Sequence, residues 1–140
     1  MKSLSYIPRN YLDKFWDQIK DLLASGLQLC EGELDINQLR LLITQGHATV
    51  IVATSIETDE IVGALAFEVV NYPNYRCANV ISIGGHNLFS DEHDMEQFKS
   101  ILKKAGISKI QGWCSPAIAR MWKSKFNFTT PYTMVRSDVE

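Results

Sequence analysis

No apolar run in this chain approaches the ~18 residues that a membrane-spanning helix requires, so no membrane partner is expected. The opening, MKSLSYIPRN, lacks the apolar stretch of a secretory signal, and none is expected here. Cysteine is sparse. Cys30, Cys77 and Cys114 are odd in number and far apart, which excludes a disulfide framework and every Cys-x-x-Cys metal or redox motif. Reduced thiols in a cytosolic protein are the expectation. A surplus of positive charge is also missing: 14 Lys and Arg stand against 16 Asp and Glu, for a net charge of −2, and the basic residues are scattered. Nucleic acid as the main partner is disfavoured, because phosphate binding needs clustered basic charge.

What is present is an ordinary globular composition, 46% hydrophobic and 21% charged over 140 residues, enough for one full core. Tyr11, Leu12, Phe15, Trp16, Ile19, Leu22 and Leu23 recur at helical spacing. Pro8 or Asn10 opens that helix and Gly26 closes it. Asp35 and Gln38 predict a capping box for a second helix, with Ile36, Leu39, Leu42 and Ile43 on one face. The period then shortens. Thr49–Thr54, Ile61–Val70 and Cys77–Ile83 read as strands, joined by the polar turns ETDE and NYPN. Met95, Phe98, Ile101, Leu102 and Ala105 mark a third helix, with Ser90 as the expected N-cap and Gly106 after its end. Lys109–Cys114 is a fourth strand, Ser115-Pro116 opens a short helix running to about Lys125, and Thr130–Val135 is expected as a last strand.

The predicted order is helix, helix, three strands, helix, strand, helix, strand. A helical crossover makes the third and fourth strands parallel. The expectation is one α/β (α+β) domain over residues 1–140, with an antiparallel meander leading into a parallel pair, flanked by about four helices.

The motif that raises a functional question is IGGHNLFSDE, an apolar strand end, two glycines and a helix start at residues 83–92. Such an arrangement cradles phosphate when the first amides of the helix are free. Here Asp91, Glu92 and Asp94 crowd that first turn, which satisfies the helix dipole and repels an anion. A tight turn is the preferred reading. Asp91 to Asp94, with His93 between and His86 nearby, do not converge on a metal, because consecutive helical residues point in different directions. Glu68 interrupts an apolar strand. It is either an outward-facing residue or a general base.

The element order, with DEIVGALAFEVV, ANVISIGG and SPAIARMWKSKFNF at the corresponding places, resembles the GNAT acetyltransferase superfamily, and more narrowly the small GNAT-like proteins of tailed phages and prophages. The resemblance covers nearly the whole chain. It implies that Ile83, Gly84, Gly85, His86 and Asn87 lie where the family binds acyl-CoA, in a loop written Arg/Gln-x-x-Gly-x-Gly/Ala. Neither register restores that motif here: Ile81 and His86, or Ser82 and Asn87, occupy its other positions. The family's usual acid, a Tyr four residues before a Gly-Phe pair, corresponds to Lys123, which leaves Tyr132 as a substitute. Two functions follow as expectations. The first is a non-catalytic role through protein contacts at Trp122 and Tyr132, in a virion or host cytoplasm, with homo-oligomerisation open and no cofactor. The alternative is an N-acetyltransferase using acetyl-CoA, with Glu68 and Tyr132 as catalytic residues.

Overall fold

The computed structural model describes residues 1–85 and 87–140. Strand β1 (Lys2–Ile7) leads through a short 3₁₀ turn into helix α1 (Leu12–Gly26), followed by α2 (Ile36–Thr44). Strands β2 (Thr49–Ser55), β3 (Ile61–Asn71) and β4 (Arg76–Gly85) come next, then α3 (Glu92–Lys104), β5 (Lys109–Gly112) and α4 (Pro116–Phe126). The five strands form one sheet in the order β1-β2-β3-β4-β5. The first three pairings are antiparallel, and β4 with β5 is parallel, as the α3 crossover requires. Among the described residues no helix is long and apolar enough to cross a membrane.

The period-2 alternation of the strands divides the core in two. Val50, Val52, Ala64 and Ala66 face α1 and α2, where Leu12, Trp16, Ile19, Leu23, Leu39 and Ile43 cover them. Ile51, Ala53, Leu65 and Phe67 face the other side, under Met95, Phe98 and Leu102 of α3 and Phe126 of α4. The capping box of α2 forms as its sequence dictates: Asp35 accepts from the Gln38 amide and Gln38 accepts from the Asp35 amide, both at 2.9 Å. Asn127 ends α4 in the left-handed conformation at φ 59°.

Four local expectations are corrected. The segment KSLSYI is a strand, although only Leu4 and Ile7 are buried. Its outer edge is sealed by the Gln97 side chain of α3, which accepts from the Leu4 amide at 3.0 Å and donates to the Lys2 carbonyl at 2.8 Å. The last strand, Thr130–Val135, does not form, and residues 127–140 carry no regular structure. Pro131 removes a ladder donor there. Phe128 is held on Trp122 with ring centres 4.8 Å apart, and Arg136 pairs with Glu33 at 2.7 Å, which carries the tail toward the loop before α2. The N-cap of α3 is Asp91, not Ser90, whose hydroxyl instead donates to the Asn87 carbonyl at 2.7 Å. Finally β5 stops at Gly112, two residues short of Cys114.

The tightest contact lies between α1 and β4. A Cβ at Gly84 would collide with the Leu22 carbonyl of α1, and one at Gly26 would lie 2.6 Å from the Ile83 carbonyl. The Ser82 hydroxyl, between them, donates to the Leu23 carbonyl at 2.7 Å. Gly84→Ala is therefore expected to cost about 3 kcal/mol or to prevent folding, since backbone has to move. Gly32→Ala, which meets no neighbour within 4 Å but has φ +97°, is expected to cost only about 1 kcal/mol. Urea unfolding of the two variants checks the contrast.

Candidate functional site

Two irregularities in β4 open the sheet at one place. Ala66 pairs with Ser82 and Phe67 with Val80, so Ile81 is an extra, unpaired residue: a β-bulge. On the other side of β4, pairing with β5 runs from Cys77–Lys109 to Val80–Gly112 and ends there. Strand β4 continues five residues beyond this point, to Gly85, with its β5-facing edge unpaired. Because β5 stops at Gly112, β4 has no strand on that side past Val80, which leaves a wedge-like opening closed at the Val80–Gly112 pair. Trp113, 63% exposed, and the exposed Cys114 follow on the β5 side. Burial pushes the Cys114 thiol above its ordinary value, which disfavours the thiolate a nucleophile needs.

Beside the closed end lies a row of polar side chains on three neighbouring strands. Glu68 of β3 is opposite Asn79 of β4, which is opposite Gln111 of β5. The Asn79 amide donates to Glu68 Oε1 at 3.0 Å, and Gln111 Nε2 donates to Asn79 Oδ1 at 3.3 Å. Gln111 Nε2 also donates to the Tyr72 hydroxyl at 3.1 Å. Glu68 follows Ala64 and Ala66 at period 2, so it shares their face, the one covered further along by α1. All three strand residues are half-buried. Of this row the sequence reading singled out only Glu68. The available signal was that Asn79 and Gln111, like Glu68, are polar residues within apolar strands.

Of the residues expected to bind acyl-CoA, four lie among the described residues. Ile83 packs into the α3 side of the core. Gly84 is bare because α1 sits on it, and Gly85, at φ +122°, is bare because a Cβ would lie 2.6 Å from Gly63 Cα. Asn87 is exposed, with φ 61°. His86 lies outside the described residues. The amides at the start of α3 are partly taken. Asp91 Oδ1 accepts from the Asp94 amide at 3.0 Å, Asp94 Oδ2 accepts from the Phe89 amide at 3.1 Å, and the Ser90 amide donates to the Asn87 carbonyl at 3.2 Å. The arrangement suits a self-capped turn more than a phosphate cradle.

The expected crowd of three carboxylates is corrected. Asp94 is fully buried and pairs with Lys2 of β1 at 3.1 Å, so its charge is neutralised inside the fold. Only Asp91 and Glu92 face solvent there, and Lys125 of α4 reaches across to the Ser90 carbonyl at 2.7 Å. One cation thus stands against two exposed carboxylates, and the turn stays net negative. Among the described residues no three His, Cys, Asp or Glu side chains gather as a metal site. A recess of about 390 Å³, lined by Tyr6, Arg9, Ile43 and Thr49 among others, lies by β1 and β2, toward the opposite edge of the sheet from the wedge.

Trp122 and Tyr132, expected as partner contacts, differ in setting. Trp122 is half-buried, with Phe89, Phe126 and Phe128 rings at 5.6, 5.8 and 4.8 Å. Tyr132 is 89% exposed on the irregular tail, and no protein hydrogen bond among the described residues joins it to the polar row.

Two substitutions rank the supports of this turn. Lys2→Ala leaves the buried Asp94 carboxylate without its cation and is expected to cost about 3 kcal/mol. Asp91→Ala removes only a cap and is expected to cost about 1 kcal/mol. Equal losses in chemical denaturation would contradict the assignment of Asp94 as the inner anchor.

No family model and no curated protein sequence matches the chain. Solved structures do. A ribosomal-protein-alanine N-acetyltransferase from Brucella melitensis biovar Abortus 2308 superposes with a TM-score of 0.68 at 15% identity, covering 100% of both chains. An aminoglycoside acetyltransferase from an uncultured soil metagenomic sample gives 0.67 at 15% identity, over 99% of this chain and 97% of its own. The aminoglycoside 6′-N-acetyltransferase AAC(6′)-Ih from Acinetobacter baumannii gives 0.66 at 14% identity, over 100% and 99%. The chain has the fold of the GNAT acetyltransferases.

Proposed function

We propose that the chain is an acetyl-CoA-dependent N-acetyltransferase acting on an amine. The observation that carries this reading is the wedge: the edge of a bulged strand loses its partner two residues past Asn79, which faces a half-buried carboxylate. An unpaired strand edge offers backbone N–H and C=O groups to an extended, amide-bearing arm, as it would to another strand. Residues Ile81–Gly85 of β4 are the groups that would hold that arm, with Trp113 at the mouth. The self-capped turn at Asp91 fits the pyrophosphate less well, so most of the affinity is assigned to the arm.

Acetyl-CoA, when bound, supplies an acetyl thioester, whose C–S bond breaks as the C–N bond to the amine forms and the thiol leaves. The protein's part is to prepare the amine. An ammonium ion has no lone pair to attack with, so one proton must leave first; Glu68 accepts it and passes it to solvent. A second amine proton ends on the departing thiol. Glu68 suits the task because Asn79 fixes one of its oxygens, and the other accepts no hydrogen bond among the described residues. Tyr132, exposed on the tail, is given no acid role.

A second reading has its own observation. Tyr132, Met134 and Val135, the last 87% exposed, place contiguous apolar side chains in solvent on the tail. We assign this segment to contact with a protein partner or a second copy. The kinship with phage-encoded proteins, and with it a virion or host-cell setting, rests on the sequence resemblance. Arg136 hydrogen-bonds Glu33 and, with the Glu33 and Glu31 amides, holds that carboxyl below its usual range. A depressed carboxyl keeps its partner above its own pKa, so the tail's tether persists at neutral pH and is released only in acid.

The transfer reading is tested by thiol release from acetyl-CoA in the presence of a panel of primary amines. Wild type is expected to turn over and Glu68→Gln to lose roughly 10²-fold in kcat without unfolding. No turnover with any amine contradicts the reading. For the tail, Tyr132→Ala is expected to weaken association by about 1 kcal/mol or more in sedimentation or pull-down titration, leaving the melting temperature unchanged.

A further inference from the structure

We infer that Glu68, Asn79, Gln111 and Tyr72 together form a seat for the acceptor's ammonium group, with Asn79 and Gln111 as positioning residues; the inference rests on the acetyltransferase reading for what the amine is there to receive.

The direction of the hydrogen bonds is the first support. An ionised carboxylate only accepts, so Asn79 turns its NH₂ toward Glu68. That leaves Asn79 Oδ1 facing β5, where only a donor satisfies it, and Gln111 supplies its own NH₂. The same NH₂ meets the Tyr72 hydroxyl oxygen. Each amide's orientation is thus dictated by its neighbour, beginning at the one charged member. What remains on offer is acceptors. Glu68 Oε2 and Gln111 Oε1 accept no protein hydrogen bond among the described residues, and the Tyr72 oxygen lies 3.1 Å from Gln111 Nε2 at the far end of the row.

The second support is the charge. The ion pairs present are Met1–Glu57, Lys2–Asp94, Arg40–Asp13 and Arg136–Glu33. Among the described residues no Lys or Arg answers Glu68. The nearest basic residue of β5, Lys109, lies instead over the Tyr75 ring at 5.0 Å. A half-buried carboxylate without an internal cation is costly unless something outside supplies one. A primary ammonium carries the positive charge that Glu68 lacks and N–H donors for its second oxygen, while the Asn79–Gln111 chain holds the first. A neutral alcohol does not answer the charge. The seat also lies where it is needed, its Asn79–Gln111 pair standing one pair below the closed end of the wedge at Val80–Gly112.

The test uses the full chain with ¹⁵N-labelled Asn and Gln side chains, titrated with n-butylamine and, separately, with 1-butanol. The amine is expected to move the Asn79 and Gln111 NH₂ signals, and the alcohol is not. Glu68→Gln is expected to abolish the response while the backbone spectrum is kept. In turnover, Asn79→Ala is expected to lower kcat/KM for the amine about tenfold, as misplacing a reacting group does, with KM for acetyl-CoA unchanged. Should Asn79→Ala not fold, Gln111→Ala on the edge strand serves, with a smaller loss in the same direction. A shift with amine but no acetyl transfer keeps the seat and overturns the transferase reading. Transfer that proceeds with silent Asn79 and Gln111 signals, or equal response to butanol, overturns the seat.

Discussion

The contact on which the rest of this architecture depends is the seating of α1 on the bare end of β4. Two glycines, Gly26 and Gly84, remove the side chains that would hold helix and strand apart, and the Ser82 hydroxyl closes the gap onto the Leu23 carbonyl. Close packing of this kind leaves no room for adjustment. It fixes where the end of α1 lies over the sheet and keeps that face of the Ser82–Gly84 segment covered. The face is taken by helix and one edge by β3, so the β5-facing edge is the side of β4 left for another molecule. The glycines that resemble a phosphate loop in the sequence are thus packed against α1 and β3, and the strand edge next to them is left unpaired.

The same separation governs the charges. A helix start that binds an anion keeps its first amides unsatisfied. In α3 the Asp91 side chain takes one of those amides, and the buried Asp94 reaches back to the Phe89 amide while holding Lys2. These bonds tie the first strand to the crossover helix across the sheet, which is a structural task. Glu68 is in the opposite condition. It is half-buried, held by a neutral amide and without a cation among the described residues.

Much of this was legible beforehand, and the failures have physical causes. The capping box at Asp35, the strand–turn–strand runs from Thr49 to Ile83 and the crossover helix are local signals, and local signals suffice for the element order. Strand β1 was missed because KSLSYI has only two buried positions; its pairing with β2 and its seal by Gln97 are long-range facts. The tail failed in the other direction. TTPYTMV has strand composition, yet a strand needs a partner edge, and Pro131, the Phe128–Trp122 stack and the Arg136–Glu33 pair lead the chain elsewhere. The candidate site divides in the same way. Glu68 is visible as a polar residue in an apolar strand, whereas its alignment with Asn79 and Gln111 depends on the register of three strands, two of them bulged.

On the proposed reading, the open edge of β4, not the start of α3, receives the acyl donor. Backbone amide shifts of the full chain, followed during titration with acetyl-CoA, test it most directly. The account predicts the largest changes at Ile81 to Gly85 and at Trp113, with only minor changes at Glu92 to Asp94. Changes concentrated in the first turn of α3 with a silent β4 edge, or no change anywhere at millimolar acetyl-CoA, would contradict it.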